Sequence, residues 1–212
     1  MNIRQTIENK VSIAADKIRI LPWENRSFYT QWLAQQYFLV RHTPKLLCAF
    51  ALQLPIHQSD ELNEILYHLK EETGHERWLI KDLQKFDKSP EHFQPSPMAN
   101  ALIMSQYYYI QHTDPMALCG YSQFLEYTSA VVAGELADRV EKEFGPGTAV
   151  FLRGHSHVDV EHAEDGWKLL GRATDRQKTL ILENLEMTDS LYSQFLSEIS
   201  SGKSVFLDRS VA

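Results

Sequence analysis

KEETGHERWLIKDL (70–83) and RGHSHVDVEHAEDGW (153–167) are the two stretches that decide the fold. Each sets a carboxylate three residues before a histidine: Glu72 before His75, and Asp159 before His162, with His155 one further turn back. On an α-helix, residues three or four apart share a face. Each stretch therefore aims a carboxylate and an imidazole at one spot. Two such helices facing each other make a cage for one or two first-row metal ions, the plan of helical bundles with di-iron or di-manganese centres.

Outward from these stretches the chain reads as helix throughout. A first helix is expected over about 3–19. A second opens at Asn25 or Ser27 and runs to about 53, kinked or split by Pro44. Ser59, ahead of Asp60 and Glu61, starts a third that reaches about Phe86 and carries Glu72 and His75. The segment 87–97 is a loop. A fourth helix covers about 98–112. Asp114-Pro115 caps a fifth that ends at Gly145-Pro146-Gly147. The sixth, about 148–171, carries His155, Asp159 and His162, and Asp175 opens a seventh reaching about Ile199. Residues 202–212 form a loose tail. Strand signals are nearly absent, so the class is all-α, about seven helices in one domain spanning 1–212.

Composition narrows the function. The 212 residues carry a formal charge of -7, 43% hydrophobic and 23% charged residues. An acidic chain without clustered Lys and Arg argues against nucleic acid as a partner. No apolar run approaches the roughly 20 residues needed to span a bilayer, and MNIRQTIENK lacks a signal-peptide pattern. Two cysteines, Cys48 and Cys119, make no disulfide framework, so the expected setting is the reducing cytoplasm.

The chemistry follows from spacing. His155 and His162 stand two turns apart, about 10 Å along a helix, so they flank a two-ion site with Asp159 between them. Nitrogen and oxygen donors without thiolate favour iron, with manganese as the second choice. His68, Glu72, His75 and Asp82 form one stripe of the third helix, and Glu71 adjoins it. Glu126, in GYSQFLEYTSAV, sits in a largely apolar run, where a lone carboxylate needs a cation or a shifted pKa. Alone, each stretch also reads as a solvated helical face; their joint occurrence with Glu126 points to metal.

EExGHExWLxxDL followed by HxxxDxxH resembles the heme-oxygenase-like diiron oxidases, the iron-containing redox enzymes, over about residues 25–200. The resemblance implies a heme-oxygenase-like helical bundle with iron bound by Glu72, His75, Glu126, His155, Asp159 and His162. Glu71 and His68 are the alternative ligands. It implies an oxidase or oxygenase that uses O2 on a small substrate, amino-acid-like or fatty-acid-like, in a biosynthetic pathway, and often a homodimer. Tyr127 and Gln36 are the expected pocket residues. Relatives of this fold include thiaminase-like hydrolases, whose chemistry would fall here to Cys119, and a non-catalytic iron-binding role is the third reading. One departure stands out. Several members add a carboxylate from the preceding helix, but WLAQQYFLVRHTPKLL offers only Gln35 and Gln36. A neutral amide is a poorer iron ligand, so weak or substrate-dependent binding of a second iron is expected.

Overall fold

The computed structural model describes residues 2–201. The expected tail, 202–212, lies outside them. Nine α-helices run through the described residues: α1 (Ile3–Arg19), α2 (Arg26–Val40), α3 (Thr43–Gln53), α4 (Ser59–Glu72), α5 (Glu76–Gln84), α6 (Pro97–His112), α7 (Leu118–Phe144), α8 (Val150–Gly171) and α9 (Asp175–Ser200). No strand occurs among the described residues. The seven expected helical segments are all present, and two are divided.

The starts follow local chemistry. Asn25 accepts a hydrogen bond from the Phe28 amide at the head of α2, and Ser96 accepts one from Ala99 at the head of α6. Thr174 and Gln177 form a reciprocal capping box at α9. The expected second helix splits after Val40, and Pro44 sits in the first turn of α3, where its missing N–H costs nothing. The expected third helix breaks at Thr73-Gly74. Gly74 has a φ of 104°, which L-residues rarely adopt. His75 therefore stands at the N-cap of α5 rather than inside a continuous helix.

The 27-residue α7 is the axis of the bundle. It packs most extensively on α8, then on α9 and α1, while α5 bridges α2 and α8. Trp23, Tyr29, Trp32 and Phe151 pack edge-on or stacked at one end of the core. Asp82, expected on the metal stripe, is fully buried elsewhere. Its carboxylate accepts from the Val150 and Phe151 amides at 2.8 and 2.9 Å and caps α8, which has no side-chain cap of its own. This cap fixes the head of the helix that carries His155, Asp159 and His162. Among the described residues no helix is long and apolar enough to cross a membrane.

Candidate metal centre

Four helices and one helix break converge on a cluster of histidines and carboxylates. The break between α4 and α5 turns the Glu72 and His75 side chains together, with His75 Nδ1 3.3 Å from Glu72 Oε1. From α8, Asp159 lies between His155 and His162: His155 Nδ1 is 2.9 Å from both Asp159 oxygens, and His162 Nδ1 is 3.6 Å from Oδ1. His162 Nδ1 also lies 3.3 Å from Glu72 Oε1, which joins the two sequence stretches. From α7, Glu126 Oε1 lies 3.4 Å from His68 Nε2.

Two groups of donors result. Glu72, Asp159 and His162 offer ligand atoms within 4.8 Å of one another, and His68, Glu126 and His162 form a second such group. His162 belongs to both. Among the six ligands expected from sequence, Glu72, Glu126, Asp159 and His162 fall into these groups, and His75 and His155 stand beside them, 4.9 Å apart ring to ring. The alternative His68 is drawn fully into the cluster. Glu71 stands at its edge, 3.0 Å from His162 Nε2, and is far more exposed than Glu72.

Hydrogen bonding gives a test of whether a cation fits. His68 Nε2, His75 Nδ1, His155 Nε2 and His162 Nδ1 are buried without a hydrogen-bond partner. Buried polar atoms without partners are rare and costly. Four orphaned imidazole nitrogens around three buried or near-buried carboxylates are the donor set of a hard-to-borderline divalent ion such as iron or manganese. His155 also shows the arrangement usual for a ligating imidazole: one ring N–H donates to a carboxylate and the other nitrogen is left free. The residues fit the metal.

Electrostatics agree. Burial, with the charges of Asp159 and Glu72, pushes the Glu126 carboxyl up to about 8 despite His162. For Asp159 burial acts upward, but the charge and hydrogen bond of His155, with His162 close by, outweigh it and hold the group at about 2. Burial opposes the His162 cation, yet Asp159, Glu126, Glu72 and Glu71 raise it to about 9. The cluster thus holds positive charge on an imidazole where a divalent ion would supply it instead.

Sequence alone missed two neighbours. Trp78 of α5 stacks on His75 at 4.1 Å and meets His155 edge-on, and it packs directly over Gly154 of α8. Ser129, one turn along from Glu126, lies close enough to Asp159 to help hold its carboxyl down. Two cavities flank the cluster, both bounded by Ser122 and Glu126. The first, of about 110 Å³, lies among α2, α7, α8 and α9 and includes Gln36, Glu72, His155 and Asp159 in its wall. The second, of about 340 Å³, includes His68, Glu71, Cys119 and His162. The expected pocket residue Gln36 lines the first cavity. Tyr127 lines neither; it lies half-buried against Trp167. Tyr107, Tyr108, Tyr109, Arg41, Lys45 and Arg153 line neither. Gln35 turns away from the cluster and ties down the loop before α6 through Gln94 and Ser96.

The comparisons agree with this architecture. A family model described as iron-containing redox enzyme matches residues 30–192, which include every residue of the cluster. A domain with a heme oxygenase-like fold from Shewanella denitrificans superposes with a TM-score of 0.83 at 20% identity, over 98% of this chain and 95% of that one. A TenA homolog from Pseudomonas syringae pv. tomato gives 0.74 at 12% identity, over 93% and 92%. At these identities the two structures show a shared fold. No curated protein matches the sequence.

Proposed function

The chain belongs to the iron-containing redox enzyme family, and on that premise we propose that it is a non-heme diiron oxidase or oxygenase that uses O2 to oxidise a small organic substrate. The observation that carries this reading is the four orphaned imidazole nitrogens set among Glu72, Asp159 and Glu126. Glu72, Asp159 and His162 would hold one iron, and His68 and Glu126 a second, with His75 and His155 completing the set. Bound ferrous iron would supply the electrons for O2 reduction that no side chain in the cluster can supply.

The protein's own residues do the rest. Asp82 anchors α8, so the three α8 donors keep their register. Trp78 and Phe151 pack against the His75 and His155 rings and keep bulk water from them. The Gln36 amide donates to the Tyr192 hydroxyl at 2.7 Å. The second position has the single carboxylate Glu126 against two in the first group, so it is expected to bind more weakly.

The hydrolase reading would need Cys119 as nucleophile. Burial, with Glu126 and Asp114, pushes that thiol up to about 12, so the reactive thiolate is scarce at neutral pH. The similarity to the TenA homolog extends to fold alone. Oxygen uptake separates the readings. Chain loaded with ferrous iron should consume O2 faster than the same iron free in buffer, and Asp159→Asn should remove the excess. Uptake equal to that of free iron would leave a binding protein and end the oxidase reading.

A further inference from the structure

The first cavity has a polar end that the metal cluster does not use. The Trp32 indole N–H and the Thr128 hydroxyl, on residues 4% and 5% exposed, line it and have no hydrogen-bond partner. The Tyr192 hydroxyl lines it too; it accepts from Gln36, and its own proton has no acceptor among the described residues. These groups gather at one place. The Trp32 N–H is close enough to Tyr192 to favour its ionised form, though outside hydrogen-bonding geometry. Phe124 meets the Tyr192 ring at 6.2 Å, and Thr128 is one turn further along the same face of α7.

The chemistry of this end is one-sided. An indole N–H only donates, and the hydroxyls have protons to give. No lysine or arginine lines the cavity; its charged residues are Glu72, Glu126, Asp159 and His155, at the metal end. Before metal binds, an anion entering here would meet three carboxylates offset by the His155 imidazolium alone. An ammonium would be drawn to the carboxylates of the metal end and would leave the Trp32 N–H unpaired. The remaining wall is mostly aliphatic and aromatic, with Gln36, Thr43, Ser122 and Ser129 as its other polar members. A neutral oxygen on a small apolar body satisfies every one of these conditions.

We propose that this cavity binds a substrate carrying one uncharged carbonyl oxygen on a small apolar body, the oxygen held by Trp32, Thr128 and Tyr192. Gln36 positions Tyr192, and the apolar carbons face the cluster. As a statement about substrate, this rests on the oxidase reading; as a statement about binding, it does not.

The test titrates 2-hexanone, hexanoate and hexylamine into the full chain, with and without ferrous iron, following amide chemical shifts. The ketone should bind at least about tenfold more tightly than either charged probe. Thr128→Val should weaken the ketone by about three- to tenfold, the scale of one neutral hydrogen bond, and Tyr192→Phe should do the same. Thr128→Val should also raise the thermal midpoint of the ligand-free protein, because it deletes a buried hydroxyl without a partner. A merely structural threonine would not move both readouts in opposite senses. Equal affinity for the three probes, no ketone binding, or ketone binding unchanged in both variants would overturn the proposal. Ketone binding kept by the iron-free chain while oxygen uptake fails would sink the oxidase reading and leave the binding site standing.

Discussion

Gly154→Ala probes how α8 and α5 are locked together around the cluster. A Cβ at residue 154 would fall 2.6, 2.9 and 3.1 Å from three carbons of the Trp78 ring. Carbon pairs settle at about 3.5–4.0 Å, so the ring must retreat by about 1 Å. That ring is stacked on His75 at 4.1 Å with 22° between planes, so His75 moves with it or loses its support. Overpacking of this kind costs about 1–3 kcal/mol. Replacing a mid-helix glycine by alanine returns about 1 kcal/mol. The net expected effect is a loss of up to about 2 kcal/mol, a fall of up to about 8 °C in thermal midpoint for a chain of this size. Ferrous affinity should fall by about tenfold, as for other residues that orient a ligand. Gly134→Ala is the control: its Cβ meets only Ser156 Cβ, at an ordinary 3.7 Å. It should gain up to about 1 kcal/mol and bind iron normally. Thermal unfolding with anaerobic ferrous titration reads both quantities. If Gly154→Ala matches Gly134→Ala in both, the Trp78–His75 contact does not position the site.

Other expectations follow from single residues. Burial raises the Asp82 carboxyl from 3.8 to about 6, so its favourable contribution is complete below about pH 4 and is lost as pH rises through about 6. Relative to Asp82→Asn, the native chain should lose on the order of 3 kcal/mol between pH 4 and 7; a pH-independent difference in urea midpoints would contradict this. Cys48 is exposed and Cys119 buried, with its thiol pushed up to about 12. A thiol reagent at neutral pH should therefore label Cys48 promptly and Cys119 only on unfolding, and Cys119→Ser should keep iron binding. Prompt labelling of both would reopen the nucleophile reading. Asp159→Asn removes the acceptor that His155 Nδ1 faces at 2.9 Å and one donor of the Glu72 group. It should abolish at least one iron equivalent while the helical circular dichroism signal is retained.

Much of the fold was legible because its punctuation is local. Asn25, Ser96, Thr174 with Gln177, and Pro44 act within one turn of themselves, so the sequence carries their effect directly. The break at Gly74 was hidden because His68, Glu72 and His75 stay in helical phase across it, and a glycine inside a helix costs only about 1 kcal/mol. Asp82 shares that phase, yet a partner 68 residues away in sequence, the Val150 amide, decides its role. Spacing could not separate Glu71 from Glu72; burial does, with Glu72 in the cluster and Glu71 on its rim. His68 was recognisable as a neighbour of the stripe, but only the placement of α7 shows that it meets Glu126. Trp32, Thr128 and Tyr192 come from three helices, and no local pattern joins them.

The central claim is that the histidine and carboxylate cluster is a two-iron centre. Anaerobic titration of the iron-free chain with ferrous ion, read by calorimetry and by iron content after desalting, tests it most directly. Two equivalents in wild type, the second weaker, with both reduced or lost when His162 is replaced by alanine, is the predicted result. No tight equivalent, or binding indifferent to His162, would contradict it.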